Sequence, residues 1–249
     1  MMSSDLLWYA GVGFLAQVID GALGMAYGVT ASSLLLSVGV PPATASATVH
    51  AAECFTTGAS AISHHAFQNI NRDLFRKLLI PGVLGAIVGA CILSSFSGNT
   101  LRPFVSVYLA IMGSIIIVKA FRVFPPRAVT THLAPLGFVG ALLDALGGGG
   151  WGPIVASTLL VRGTGVRETV GSVNAVEFFV TTAASVTFFI TLGLSNWQMI
   201  AALALGGLPA APIGAWACKR VRAKPMMIVV GVLVVVVSLR TLVIHFGLM

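Results

Sequence analysis

Charge is what this chain most lacks. Only 8% of its 249 residues are charged, while 57% are hydrophobic and mean hydropathy is +0.99. A soluble domain of this size would have too little polar surface to present to water. Cysteine is also scarce: Cys54, Cys91 and Cys218 are scattered through apolar segments, which excludes a disulfide framework or a zinc spacing and reads as small core residues. The N-terminus "MMSSDLLWYA" has no positive n-region, so the first apolar segment reads as retained rather than cleaved. No GxxxxGK[ST] loop, HExxH or GxSxG occurs, so nothing points to an ATPase, a zinc protease or a serine hydrolase. The net charge of +7 does not indicate nucleic-acid binding, because the basic residues sit in short clusters between apolar runs. No metal site and no cofactor is indicated. The fold class that remains is an all-α polytopic membrane protein in a lipid bilayer.

The chain is written twice. A shift of 124 positions aligns residues 14–61 with 138–185 without a gap, matching Asp20 to Asp144, Gly24 to Gly148, Gly28 to Gly152, Glu53 to Glu177 and Thr57 to Thr181. Further on, "LRPFVSVYLAIMG" (101–113) still resembles "AKPMMIVVGVLVV" (223–235). Repeat one covers residues 1–124 and repeat two 125–249, joined near "FRVFPPRAV". Each reads as a broken-helix hairpin followed by three transmembrane helices: 6–38, 43–65, 74–96 and 101–121, then 133–161, 168–194, 197–218 and 225–246. Arms of about 14 residues either side of the breaks near 20–24 and 144–150 would reach only part of the way across.

A hairpin plus three spans returns each copy on the opposite side, so tandem copies are expected as inverted repeats. On that arrangement the loops 66–77, 119–131, 162–168 and 218–224 share one side and hold 12 of the 14 Lys and Arg residues. The positive-inside rule makes that side cytoplasmic and puts both termini outside.

Four of the seven acidic residues, Asp20, Glu53, Asp144 and Glu177, lie deep in apolar sequence as two repeat-related pairs. Such residues are costly in a bilayer and mark a pathway or a binding site. His50, Glu53 and Thr57 share one helical face, and Asn174, Glu177 and Thr181 repeat the spacing. In "DGALGMAYG" and "DALGGGGWG" the glycines Gly21, Gly24, Gly147, Gly148 and Gly149 free backbone N–H groups at a helix start, an anion-binding arrangement, with Tyr27 and Trp151 at matching positions as walls. Asp20 and Asp144 read as caps that hold the hairpin tips, and Glu53 and Glu177 as proton carriers behind them. His64 and His65 read as interfacial. Gly82, Gly85, Gly89, Gly206, Gly207 and Gly214 read as packing positions.

These residues resemble the sulfite exporter TauE/SafE family of membrane transporters. The resemblance rests on "GFLAQVIDGALGMAYGVTASSLLLSVGVPPATASATVHAAE", "LLIPGVLGAIVGACIL", "GFVGALLDALGGGGWGPIVASTLLV" and "GGLPAAPIGAWA". It implies a bacterial inner-membrane carrier of small sulfur-containing anions such as sulfite, thiosulfate or organosulfonates, working with protons, not an enzyme, and leaving room for a homodimer. Four carboxyl groups beside an anion require protons or a coupling ion. Two other readings use the same residues. A divalent-cation carrier would take His50, Asp20, Glu53 and their repeat partners as ligands. A remote third is an intramembrane enzyme with Asp20 and Asp144 as an aspartyl pair.

Overall fold

The computed structural model describes residues 2–96, 98–121, 131–193, 196–218, 220 and 223–247. The junction between the repeats, with Arg122 and Arg127, lies outside them, as do Lys219 and Arg222. The described residues are helical throughout, with no strand. In chain order the helices are α1 (Met2–Leu23), α2 (Tyr27–Ser37), α3 (Pro42–Ala66), α4 (Arg72–Ser94), α5 (Gly98–Ala120), α6 (Leu133–Gly147), α7 (a π-helical turn Gly152–Ala156 running into Ser157–Val161), α8 (Val166–Leu192), α9 (Trp197–Ala217) and α10 (Ala223–His245).

Six of them, α1, α4, α5, α8, α9 and α10, contain stretches long and apolar enough to cross a membrane. Their outward faces carry exposed side chains such as Leu7, Ile80, Phe104, Ile190, Leu205 and Val229, as a helix in contact with lipid requires. Helix α3 has the length, at 25 residues, but its polar stripe lowers its hydropathy.

Both helix breaks fall where the glycines stand. Gly24 and Gly148 adopt the same left-handed conformation, φ +67°, which only glycine takes without penalty. The return loops match as well, with Gly39 and Gly163 both at φ +95°. The arms are not all short, however. Helix α1 has 22 residues, about 33 Å at 1.5 Å per residue, not the expected half-span. It runs through Asp20 and ends three residues later, where Gly24 takes its left-handed conformation. Helix α6, with 15 residues, fits the shorter expectation.

Packing exchanges the halves. Helix α1 lies along α9, and α6 along α4, so each first arm docks on the second of the three helices that follow the hairpin in the other repeat. Glycines make these crossings possible. A Cβ on Gly13 would lie 2.2 Å from Leu203 O and one on Gly206 1.9 Å from Ala10 O. In the other crossing, a Cβ on Gly85 would lie 2.2 Å from Phe138 O and one on Gly89 2.5 Å from Leu142 O. Gly113 of α5 and Gly231 of α10 face each other in the same manner. Close backbone approach of this kind drives helix association in lipid, where burial of apolar surface gains little. Helices α3 and α8, which bear the polar stripes, pack together between the two crossings. Cys91 is exposed on α4 rather than in the core.

Candidate functional site

The two hairpin tips meet each other. A Cβ on Gly28 would lie 2.8 Å from Gly149 Cα, and one on Gly152 would lie 2.3 Å from Met25 Cα and 2.6 Å from Gly24 O. Gly28 and Gly152 are repeat partners, so the contact is reciprocal. Each tip touches the other through backbone, at a point where any side chain would intrude.

Tip two is held by a dense set of polar contacts. Asp144 Oδ1 accepts from Gly150 N at 2.7 Å and Trp151 N at 3.0 Å. This is an N-cap of α7 made from the end of α6. Asp144 Oδ2 lies 3.1 Å from His50 Nε2 on α3. Gly149 N donates to Asp144 O. Ser46 Oγ donates to Ala145 O at 2.7 Å, and Ser32 Oγ donates to Gly148 O. Trp151 is fully buried, and its Nε1 donates to Val173 O at 3.2 Å.

Tip one has the same shape and different chemistry. The Asp20 carboxyl accepts from Tyr27 N, while its Oδ2 is buried with no partner among the described residues. In the same repeat, Gln17 of α1 and Thr30 and Ser33 of α2 also bury side-chain polar atoms without partners among the described residues. Tyr27 is buried, and its hydroxyl donates to Leu203 O at 3.4 Å.

The residues singled out in the sequence are therefore brought together in part. Asp20, Gly24 and Tyr27, with Asp144, Gly147, Gly148, Gly149 and Trp151, form the two tips. Glu53 and Glu177 are buried behind them. Glu53 Oε1 lies beside Gly28, and Glu177 Oε2 has no partner among the described residues. Other positions are used differently. Gly21 lies inside α1 against Gly214, so it belongs to a helix crossing. Thr57 and Thr181 give their protons to the carbonyls of Glu53 and Phe178 on their own helices and so have none left for an anion. Asn174 is committed too, accepting from Ser60 Oγ at 2.8 Å and donating to Val170 O at 3.1 Å. His64 is not interfacial: it is fully buried, its Nε2 donates to Gly21 O at 3.0 Å, and Asn69 Nδ2 donates to its Nδ1 at 2.9 Å.

One residue was not anticipated. Tyr108 of α5 lies against tip two, where a Cβ on Gly147 or Gly150 would fall within 2.0 Å of its ring or hydroxyl. The hydroxyl is buried and has no partner among the described residues. Its aligned position in α10 is Val230, so the repeat gave no signal for it.

No group of three or more His, Cys, Asp or Glu side chains is arranged to hold a metal ion among the described residues.

Six apolar spans around two facing helix breaks, with carboxyl groups buried at the breaks, define a multi-pass membrane protein with its polar chemistry inside the bilayer. The comparisons supply the particular kind. The chain belongs to the sulfite exporter TauE/SafE family of membrane transporters, whose pattern it matches over residues 9–241. It is 40% identical over 248 residues to the probable membrane transporter protein YtnM of Bacillus subtilis (strain 168), a match covering 96% of this chain and 83% of the relative. No solved structure matches it.

Proposed function

We propose that the protein is a secondary transporter that carries small sulfur-containing anions, sulfite or an organosulfonate, across the bacterial inner membrane together with protons. The observation that carries this reading is the reciprocal contact of the two tips amid four buried carboxyl groups. An anion can enter between the tips only if these groups hold protons, because like charges in a low-dielectric site repel strongly. Anion binding and proton binding are then linked, each favouring the other. Glu53 and Glu177, one behind each tip, take up the accompanying protons. The Tyr108 hydroxyl and the walls Tyr27 and Trp151 line the anion position; the N–H groups of Gly24, Gly148 and Gly149, expected to be free, instead donate to the Asp20 and Asp144 carbonyls. The two Asp side chains keep the tips in shape.

In this reading the repeats are inverted, with the basic loops cytoplasmic and both termini outside, and alternating access comes from rocking one half against the other. The exchanged docking of α1 on α9 and of α6 on α4 supports it, because the two repeats use equivalent helices in equivalent contacts. The test is uptake of radiolabelled sulfite, thiosulfate and sulfoacetate into proteoliposomes across an imposed pH gradient. Uptake of at least one of them, rising with the gradient and losing its gradient dependence in the double variant Glu53→Gln/Glu177→Gln, is expected. Absence of flux for all three, or unaltered gradient dependence in the double variant, would overturn the substrate or the proton role respectively.

A further inference from the structure

The hydrogen bonds of His50 determine a proton count. Its Nδ1 lies 2.8 Å from the backbone carbonyl of Ser46, and a carbonyl can only accept. Ser46 Oγ, 3.3 Å from Nδ1, already donates to Ala145 O, so Nδ1 carries a hydrogen. Its Nε2 lies 3.1 Å from Asp144 Oδ2, and a bond there requires one more proton, on the imidazole or on the carboxyl. Either way the pair is neutral overall and holds one exchangeable proton. Both side chains are buried, and the Lys and Arg side chains of the described residues make no ion pair with Asp144 within the molecule.

We propose that His50 and Asp144 together form a proton site distinct from Glu53 and Glu177, present in one half only, which latches tip two to α3. This rests on the reading of the tips as the moving part of the transporter. With the shared proton in place, the pair closes a bond between the tip and α3. When that proton leaves, a lone pair on Nε2 faces a carboxylate, the bond is lost and a net negative charge is left buried, so tip two is released. The other half has no equivalent. Asn174 stands where His50 would be, cannot titrate, and is bonded to Ser60 and Val170 rather than to Asp20.

The titratable groups around the pair are Glu53 and Cys54 from α3, Tyr108 from α5, Asp20 from α1 and Glu177 from α8. Phe188 of α8 packs on the His50 ring at 6.0 Å and shields it. Glu53, Tyr108, Asp20 and Glu177 become anionic on losing a proton. Their ionisation would hold the shared proton in place, and cannot by itself mimic release of the latch.

The test is hydrogen–deuterium exchange of the purified protein, without anion, from about pH 5 to about pH 9, corrected for intrinsic exchange. The Gly150 and Trp151 amides, held by Asp144, are compared with the Tyr27 amide of tip one. Corrected exchange at tip two is expected to rise about tenfold or more with pH, the size of losing one charge-assisted hydrogen bond, with tip one flat. In His50→Gln and in Asp144→Asn a neutral amide can donate or accept at every pH, so the rise should vanish. An equal rise at both tips in the natural protein, or a tip-two rise that survives in whichever of the two variants folds, would overturn the proposal. No flux is measured, so failure of the anion assignment would leave this result standing, and the reverse.

Discussion

The two hairpin tips have aligned sequences, identical φ at their breaks and reciprocal contacts, yet they are polar in opposite ways. At tip two the capping aspartate is fully engaged: Asp144 accepts two amides and faces His50, and the serines of α2 and α3 bind the tip's carbonyls, with only the neighbouring Tyr108 hydroxyl unpaired among the groups described there. In the first half the buried polar groups outnumber their partners, with Asp20 Oδ2, Gln17, Thr30 and Ser33 unpaired among the described residues. After duplication the backbone device was kept in both copies, and the side-chain chemistry diverged. His50 faces Asn174 across the alignment, Gln17 faces Ala141, Thr56 faces Val180 and Tyr108 faces Val230. A pair of tips that must meet at one point constrains glycine and backbone equally in both. It does not constrain which tip is the firmer one.

The largest expected effect comes from cutting the same aspartate in each half. Asp144→Ala strands two amides and His50 in the interior, which should cost about 3–5 kcal/mol. Asp20→Ala removes a single cap bond, about 1–2 kcal/mol. Thermal unfolding in detergent, followed by tryptophan fluorescence, ranks them. Equal losses would mean that tip two is no better anchored than tip one. Next comes the glycine pair at the meeting point. Gly152→Ala would drive a methyl to 2.3 Å from Met25 Cα, and Gly28→Ala to 2.8 Å from Gly149 Cα. Both neighbours are backbone and cannot turn aside. Overpacking should cost about 1–3 kcal/mol at Gly152 and less at Gly28, read in the same unfolding assay. The reverse order would show that the tips are not in contact in the way described.

Much of this was readable beforehand, and the reason is periodicity. Apolar runs marked the spans, and an acid beside glycines marked the breaks, because lipid tolerates broken backbone only where something caps it. What could not be read was which half faces which. His50 sits three residues before Glu53, and its local spacing grouped it with Glu53 and Thr57 on one helical face. The folded chain pairs it with Asp144, 94 positions away, because the first arms dock on the opposite repeats. His64 is buried against α1 of its own repeat, bonded to Gly21 O, where sequence placed it at an interface. The length of α1 was misjudged mainly at its start: the helix begins at Met2, four residues before the expected Leu6, while its end at Leu23 falls inside the expected break.

The smallest effect on stability, and the sharpest on function, is expected at Tyr108. Its hydroxyl has no protein partner among the described residues, so Tyr108→Phe removes no internal bond. The unfolding midpoint should move by no more than about 0.5 kcal/mol, toward greater stability if anything, since a buried unpaired hydroxyl is costly. If the hydroxyl donates to the anion, the same change should weaken binding about tenfold, the worth of one hydrogen bond to a charged group. Sulfite titration followed by thermal shift measures both quantities on one sample. Because α10 offers only Val230 at the matching place, the anion would then be gripped mainly from the tip-two side, and substitutions at tip one such as Thr56→Ala should leave affinity nearly unchanged. A loss of stability in Tyr108→Phe with unchanged affinity would assign the hydroxyl to the scaffold and return the anion position to the symmetric centre between the tips.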